Sequence, residues 1–146
     1  MKPEADTLPG LLAIRGEGNA NLRAIVTLDG AVTHAELDAM STALAARLVT
    51  EGVVKGDRVA LLAPNGIEWA IIGLAVMRVG AVLVPMSTLL RAQELLTQLT
   101  TANVSHFVTT TEFRGRRYLD ELEDASTGLL AAVRSGGRHH RRAERG

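Results

Sequence analysis

The sequence contains no cysteine among its 146 residues, and only 3% of the residues are aromatic. The absence of cysteine excludes a disulfide scaffold and a zinc site built on thiolates, and it is typical of a cytoplasmic protein, the location that we predict. Acidic and basic residues are equal in number, 16 of each, so the formal net charge is zero. Because no charge excess is present, we expect no nucleic-acid partner.

Long apolar runs are also absent. The most apolar predicted helix lies between Glu68 and Arg78. Its apolar stretch is far shorter than the roughly 20 residues that a membrane span requires. Residues 1–6 are polar and lack the apolar stretch of a secretory signal, and we expect them to be disordered. Hydrophobic residues make up 47% of the sequence, which suits a globular α/β domain without a membrane span.

The chain is organised around residues 52–85, which read as a strand, a helix and a second strand. The run 58–63 is apolar on both faces, which predicts the central strand of a parallel sheet covered by helices on both sides. An apolar helix, 69–79, follows and must be buried over most of its surface. The run 81–84 forms the next strand and ends at Pro85. A connection of this kind makes the two strands parallel.

The segment before this core predicts two helices and a hairpin. Residues 7–15 form a short amphipathic helix that ends at the glycines of 16–19. The strands 24–28 and 31–33 pair through a tight turn at Asp29-Gly30.

Thr33 and Glu36 then form a capping box that starts a helix over 34–50, and Gly52 ends this helix. Asn65, with Glu68 three residues later, predicts a second cap of the same kind. His34 lies at the exposed start of its helix with no second ligand nearby, so a surface role is favoured over metal binding.

After the core, residues 86–91 form a loop and 92–102 a helix that presents Leu95 and Leu99 to the sheet and ends at Asn103. A further strand covers 104–109. The Thr-x-x-Glu pattern at 109–112 predicts a charged helix over 113–124.

Residues 135–146 contain no apolar side chain larger than alanine, so we expect a disordered basic tail. A contact with nucleic acid or acidic lipid is the alternative, but a solvated tail is favoured because no aromatic residue is interleaved. His139 and His140 are adjacent, which is a poor spacing for a metal site. We therefore predict a disordered N-terminus over 1–6, one folded domain over 7–134 and a disordered tail over 135–146.

The caps and turns of this core form an ordered series. Its segments are Thr33-His34-Ala35-Glu36-Leu37, Gly56-Asp57-Arg58-Val59-Ala60, Pro64-Asn65 with Glu68-Trp69, Arg78-Val79-Gly80-Ala81-Val82 with Val84-Pro85, Leu90-Arg91 with Glu94-Leu95, and Phe107-Val108-Thr109. This series resembles the N-terminal part of AMP-forming acyl-CoA synthetases, the adenylate-forming superfamily that includes fatty-acid–CoA ligases and luciferases. The chain differs from the family pattern at Ser87, Leu89 and Ala92.

The resemblance implies an α/β fold: a partial N-terminal subdomain of the adenylate-forming ligases, with a mainly parallel sheet flanked by helices and an N-terminal β-hairpin. It also implies an acid–thiol ligase that uses ATP, Mg²⁺ and coenzyme A. In that reaction a carboxylate attacks the α-phosphate of ATP to give an acyl-adenylate, and a thiol then displaces AMP.

Such chemistry requires a flexible Ser/Thr/Gly-rich loop with a lysine, a Mg²⁺ ligand, an acidic residue for the ribose and a C-terminal lysine. We find none of them, so we predict no catalytic, cofactor-binding or metal residue in this chain. The only threonine run, Thr109-Thr110-Thr111, lacks flanking glycine and lysine. It is better interpreted as a strand end and helix cap.

Open parallel sheets bind ligands beyond the carboxyl ends of their strands, which points to the loops Pro64–Gly66 and Met86–Thr88. Strand termination and helix capping explain the same residues without a ligand, and we favour that interpretation.

Three hypotheses for function follow. The first is a truncated acyl-CoA ligase that is inactive alone and would act on a fatty acid or other carboxylate only in a complete enzyme. The second is an interaction module that docks on a separately encoded ligase remainder or a paralogue. The third, a stand-alone nucleotide-binding domain, rests on fold alone.

Overall fold

A computed structural model describes residues 5–125 of the chain. The chain divides into two compact units: unit 1 comprises the residues up to Val54 together with Asn65–Ala81, and unit 2 comprises Lys55–Pro64 and the residues from Val82 onward. No helix within 5–125 is both long and apolar enough to cross a membrane. The predictions for residues 1–4 and for the tail at 135–146 fall outside the described residues.

Unit 1 begins with helix α1, Leu8–Asn19. The hydroxyl of Thr7 accepts a hydrogen bond from the backbone N–H of Gly10 at 3.1 Å, and Pro9 lies in the first turn, as expected. The predicted end at Gly16 is wrong, because the helix runs through Gly16 and Gly18. A glycine costs a helix only about 1 kcal/mol, which does not suffice to end a helix that is anchored by a buried leucine, Leu12.

Strands β1, Arg23–Val26, and β2, Ala31–Thr33, form the predicted antiparallel hairpin. Its turn is placed one residue earlier than predicted. Thr27 donates to the carbonyl of Gly30 both through its backbone N–H, at 2.8 Å, and through its hydroxyl, at 3.2 Å. This closure makes Leu28 and Asp29 the central residues, and Gly30 does not need the positive φ of the predicted turn.

Helix α2, His34–Thr50, starts with the predicted capping box. Glu36 donates its backbone N–H to the Thr33 hydroxyl at 3.2 Å, and the Thr33 N–H donates to the Glu36 carboxylate at 2.9 Å. The two hydrogen bonds that the Glu36 carboxylate accepts from Thr33, from its backbone N–H first and then from its hydroxyl, lower the pKa of this carboxyl. His34, the first residue of the helix, is half-buried, so its predicted exposed position is wrong. Gly52, with φ 96°, ends the helix region as expected.

Helix α3, Ile67–Val79, is the apolar helix of the sequence, and Glu68 is its one exposed residue. Its predicted start is wrong, because Gly66 occupies the N-cap and Asn65 makes no capping bond. The additional extended residue, Gly66, moves Asn65 one position too far from the free N–H groups. Gly80, with φ 79°, ends the helix.

The core of unit 1 is small. Its buried cluster contains Leu12, Val32, Leu37 and Ile71. Helices α2 and α3 are also joined by Arg78, which forms an ion pair with Asp38 and donates from Nε to the hydroxyl of Ser41 at 3.0 Å. Ser41 is completely buried, so this contact satisfies a polar atom inside the helix pair.

Unit 2 contains a parallel sheet in the order β4-β3-β5. Its central strand is β3, Arg58–Leu62, flanked by β4, Val82–Pro85, and β5, His106–Thr109. Four consecutive residues of β3, Val59–Leu62, are fully buried. The prediction of a central parallel strand is confirmed, and Pro85 lies on an edge strand, where a proline is tolerated.

Two helices of unit 2, α4 (Ala92–Thr101) and α5 (Tyr118–Ala125), complete its core. The buried cluster contains Ala60, Leu62, Met86, Leu95, Leu96, Leu99, Val104, Tyr118 and Leu122. Leu95 and Leu99 are buried as predicted, and Asn103 adopts the expected positive φ of 49°.

The predicted helix over 113–124 begins too early. Residues Phe113 and Arg116 exchange backbone hydrogen bonds at 2.9 and 3.0 Å, and the two residues between them, Arg114 and Gly115, have positive φ angles of 51° and 77°. Such a left-handed pair forms a tight turn and is incompatible with an α-helix. The helix therefore starts only at Tyr118.

Candidate functional site

The carboxyl ends of the three parallel strands lie at one edge of the unit 2 sheet. Leu61 pairs with Pro85 and Leu62 with Thr109, so the segments that follow these strands leave the same edge. The predicted loop Met86–Thr88 lies there, as does Pro64 after β3. This edge is the place where an open parallel sheet presents loops to a ligand, and we treat it as the candidate functional site.

The loop after β4 is held by Arg116. Its Nη1 donates to the carbonyl of Thr88 at 2.8 Å, and its Nη2 donates to the carbonyl of Leu90 at 2.9 Å. The same guanidinium forms a two-point ion pair with Glu121, from Nε at 3.0 Å and from Nη2 at 2.6 Å. Arg116 therefore connects the loop of residues 86–91 to helix α5.

Tyr118 completes this arrangement. Its ring lies 4.7 Å below the guanidinium carbon of Arg116, and its hydroxyl donates to the carbonyl of Thr88 at 3.0 Å. The side chain is only 1% exposed. A cation over an aromatic face in a partly buried setting adds stabilisation of about 1 kcal/mol to the hydrogen bonds. We call Arg116, Tyr118 and Glu121 the loop clamp.

The ion pair within the loop clamp favours the charged forms of Arg116 and Glu121. Hydrogen bonding to Arg116 lowers the pKa of the Glu121 carboxyl, and the same bonds raise the pKa of the Arg116 guanidinium. An arginine that is fully charged and fully engaged does not transfer protons. The loop clamp can therefore position a loop, but it has no acid–base chemistry of its own.

The threonine run at the end of β5 does not fit a phosphate site. The hydroxyl of Thr109 donates to the carbonyl of Leu62 at 2.9 Å, and the hydroxyl of Thr110 donates to the carbonyl of Glu112 at 3.1 Å. Both donors are thus used in the fold. Apart from Lys2, the one lysine of the sequence is Lys55, which precedes β3 and so lies toward the opposite edge of the sheet.

A second polar pair lies toward that opposite, amino-terminal edge. His106 Nε2 is 2.9 Å from Asp57 Oδ2, and each side chain is 22% exposed. No group of three or more histidine, cysteine, aspartate or glutamate side chains within residues 5–125 is arranged to hold a metal ion. The prediction that the chain has no catalytic, cofactor-binding or metal residue has no direct test here and stays a prediction.

Sequence reasoning missed the loop clamp. Arg116, Tyr118 and Glu121 fall within the stretch predicted as one continuous helix, where they would be ordinary surface and core residues. The available signal was Gly115, because an isolated glycine inside a predicted helix makes an uninterrupted helix less favourable.

The solved structures that resemble this chain are adenylate-forming enzymes. The O-succinylbenzoate coenzyme A synthetase of Bacillus subtilis in complex with AMP matches 75% of this chain with a TM-score of 0.67 and 30% identity. The fatty acyl CoA synthetase of Mycobacterium tuberculosis matches 69% of it with a TM-score of 0.66 and 31% identity. This chain covers 29% and 20% of those chains. The fold is thus a partial N-terminal part of the adenylate-forming enzymes.

The sequence comparisons agree with the fold. The family model for AMP-binding enzymes matches residues 12–141. The long-chain-fatty-acid–CoA ligase FadD13 of M. tuberculosis is 37% identical over 86 residues, and the 2-succinylbenzoate–CoA ligase of Bacillus cereus is 32% identical over 131 residues. The chain belongs to the AMP-binding enzyme family. The match to the M. tuberculosis ligase covers 58% of this chain and 17% of that relative. The match to the B. cereus ligase covers 90% of this chain and 26% of that relative.

Proposed function

We propose that this chain is the N-terminal portion of an ATP-dependent, AMP-forming acyl-CoA ligase and that it does not form acyl-adenylates on its own. The observation that carries the proposal is the match of residues 12–141 to the AMP-binding enzyme family. The relatives described above are CoA ligases by name, which supports a fatty acid or another carboxylate as the substrate of the complete enzyme. A cytoplasmic location is part of this proposal.

Within such an enzyme, this portion has a positioning role. The loop of residues 86–91 leaves the carboxyl edge of the sheet, and the loop clamp holds its carbonyls at Thr88 and Leu90. Two hydroxyls of the threonine run, those of Thr109 and Thr110, donate to backbone carbonyls of the fold. We therefore propose that ATP, Mg²⁺ and coenzyme A bind to other parts of the enzyme.

ATP–pyrophosphate exchange with a panel of carboxylic acids tests the first part of the proposal. We expect no exchange from this chain alone, whereas the B. subtilis synthetase assayed in parallel serves as the positive control. Measurable exchange from the isolated chain would contradict our account.

A chimera tests the positioning role. In the B. subtilis synthetase, the segment matched by this chain is replaced by residues 12–125. We expect a folded protein with measurable ligase activity, because the sheet and its loop are supplied in the same arrangement. A chimera that folds, as judged by circular dichroism, but has lost all exchange activity would count against the proposal.

A second candidate function is docking on a separately encoded ligase remainder or on a paralogue. It is favoured by the sheet of unit 2, because within residues 5–125 no further strand pairs with the outer side of β4 or β5. Edge strands of this kind accept an additional strand from a partner. Co-purification with a ligase chain is the expected result, and a monodisperse monomer that unfolds cooperatively without a partner would argue against docking.

A further inference from the structure

The dipeptide Asn65-Gly66 lies directly before helix α3 and is chemically distinctive. Asparagine is among the least durable side chains in proteins, and Asn65 is the one asparagine of the sequence that is followed by glycine. Its side chain is exposed and makes no capping bond to the helix. The predicted cap therefore does not use this side chain, and its amide group is left for other chemistry.

An asparagine side chain can react with the backbone nitrogen of the residue that follows it. The nitrogen forms a bond to the side-chain carbonyl carbon, the C–N bond of the amide breaks, and ammonia leaves with the proton of the backbone N–H, transferred through solvent. The product is a cyclic succinimide. Water then opens the ring on either side of the nitrogen and gives aspartate or isoaspartate. One water molecule is consumed and one ammonia is released, and no other reactant is needed.

The attacking nitrogen, that of Gly66, is free. Within residues 5–125 its N–H group donates to no acceptor. A Cβ atom at Gly66 would have no neighbour within 4 Å, so the space beside this nitrogen is open. Because glycine itself has no side chain, nothing attached to the same residue hinders ring closure.

The amide of Asn65 is free as well. Its oxygen and nitrogen form no hydrogen bond in the part of the chain that the structure describes. The side chain can therefore turn its carbonyl carbon toward the nitrogen of Gly66, and its exposure gives water access to the ring that forms. Both reacting groups belong to unit 1.

The other asparagines are protected by the fold. The N–H group that follows Asn21 donates to the carbonyl of Asn19 at 2.9 Å. The N–H group that follows Asn103 donates to the carbonyl of Leu99 at 3.1 Å. Asn19 is itself the last residue of α1, and a helical backbone holds the side chain away from the next nitrogen. All three are followed by a residue that carries a side chain.

We propose that Asn65 is a deamidation site of the folded chain and that the reaction proceeds through a succinimide formed with the backbone nitrogen of Gly66. Each event replaces a neutral amide by a carboxylate, so the chain gains one negative charge. The isoaspartyl product also lengthens the main chain by one carbon atom just before α3. The new charge lies near the amino terminus of this helix, where the helix dipole favours an anion. We therefore expect the helix to persist after the reaction. The proposal does not depend on the ligase function, because only these two residues and water take part.

The experiment is incubation of the folded full chain in mildly alkaline buffer, followed by digestion with trypsin and mass spectrometry. Trypsin releases residues 59–78, in which Asn65 is the only asparagine and which contain no glutamine. We expect this peptide to gain about one dalton with time, the difference between an O–H and an N–H₂ group. Chromatography should separate two products, aspartyl and isoaspartyl. A sample digested at the start corrects for any reaction during digestion.

Variants identify the nitrogen and the amide. Gly66→Ala should fold, because the backbone there is extended, with φ 165°, and a Cβ atom has room. Its methyl group hinders the attack, so the mass gain should be at least severalfold slower. Asn65→Gln should abolish the gain, since the longer side chain would have to close a larger ring. Gly16→Ala is the matched control: a Cβ atom also has room at this position in α1, and the rate at Asn65 should not change.

Three results would overturn the proposal. The first is a constant mass of the 59–78 peptide from the folded chain, and a gain that occurs only in urea would show that the fold protects Asn65. The second is an equal rate in Gly66→Ala and the natural protein. The third is formation of aspartate without isoaspartate, which would indicate direct hydrolysis of the amide. None of these results affects the pyrophosphate-exchange assay, so a failure here is distinguishable from a failure of the ligase proposal.

Discussion

The two compact units of this chain are stabilised in different ways. Unit 2 has nine buried side chains in one cluster, and the loop clamp fixes its surface loop to α5. Unit 1 has a buried cluster of four, and several of its leucines, Leu8, Leu11 and Leu22, remain exposed. The comparison shows that one unit uses its apolar side chains to complete a core, while the other leaves part of them exposed.

The polar contacts of the two units connect different parts of the chain. In unit 1 the long-range contacts of Arg78 with Asp38 and Ser41 join two helices, α2 and α3. In unit 1 the capping bonds join residues three positions apart, as between Thr33 and Glu36. In unit 2 Arg116 reaches carbonyls 26 and 28 positions away in the sequence. Short-range bonds define where a helix starts, whereas long-range bonds fix a loop that would otherwise be mobile.

The largest expected effect tests the difference between the cores. Leu95 is 1% exposed in unit 2, and Leu12 is 8% exposed in the smaller core of unit 1. We expect Leu95→Ala to lower the free energy of unfolding by roughly 3–5 kcal/mol and Leu12→Ala by about 2 kcal/mol, because water can enter the space that Leu12 leaves. Urea unfolding measures both.

Leu89, which is 82% exposed, provides the control for this series. Leu89→Ala should change the free energy of unfolding by less than about 0.5 kcal/mol. Equal losses for Leu95→Ala and Leu12→Ala would remove the distinction between a closed and an open core.

The second effect concerns the loop clamp. Arg116→Met leaves two loop carbonyls and the Glu121 carboxylate without their donor, and we expect a loss of about 2 kcal/mol, since the guanidinium is partly exposed and therefore screened. The amides of residues 86–91 should exchange faster with solvent. The neighbouring variant Arg117→Met is the control.

Arg117 forms an exposed pair with Asp120 at 3.2 Å. Its removal should cost less than about 0.5 kcal/mol and should not alter exchange in the loop. If Arg116→Met and Arg117→Met behave alike, the loop clamp has no positioning role.

The third effect tests the short-range contacts of unit 1. Thr33→Ala removes the N-cap of α2 and should cost about 1 kcal/mol. Asn65→Ala should change the free energy of unfolding by less than about 0.5 kcal/mol, because Asn65 makes no capping bond to α3. A large loss for Asn65→Ala would show that the predicted cap forms after all.

The smallest effect is a pH dependence. Arg116 lowers the pKa of Glu121 in the folded state, so the stabilisation from this carboxylate is complete at neutral pH. This stabilisation declines once the pH falls below the ordinary pKa of a glutamate carboxyl, and it is lost as the pH falls through the lowered pKa of the folded state. The stability difference between the natural protein and Glu121→Gln should therefore shrink between pH 7 and pH 3. A constant difference would contradict the assignment.

Much of the fold follows from the sequence because its signals are local. Gly52 and Gly80 end helices where a positive φ is needed, and the Thr33–Glu36 pair starts a helix through bonds within one turn. The apolar run that contains Val59–Leu62 predicts a strand buried on both faces, which the parallel sheet confirms. The order of these signals was also sufficient to indicate the family.

Other features could not be predicted from local sequence patterns. Asn65 and Gly66 both suit an N-cap, and only the extended backbone at Gly66 decides between them. The helix predicted from Phe113 is wrong because Arg114 and Gly115 adopt positive φ angles, which are incompatible with an α-helix. The loop clamp could not be predicted, since nothing near Arg116 in the sequence indicates that its partners are Thr88 and Leu90.

The sequence by itself determined the alternation of strands and helices, most of their capping residues and the membership of the AMP-binding enzyme family, because periodicity and caps act within a few residues. Only the tertiary structure decided that Arg116 holds the loop after β4. The physical reason is that hydrogen-bond partners depend on the path of the backbone between distant residues, and that path is set by packing.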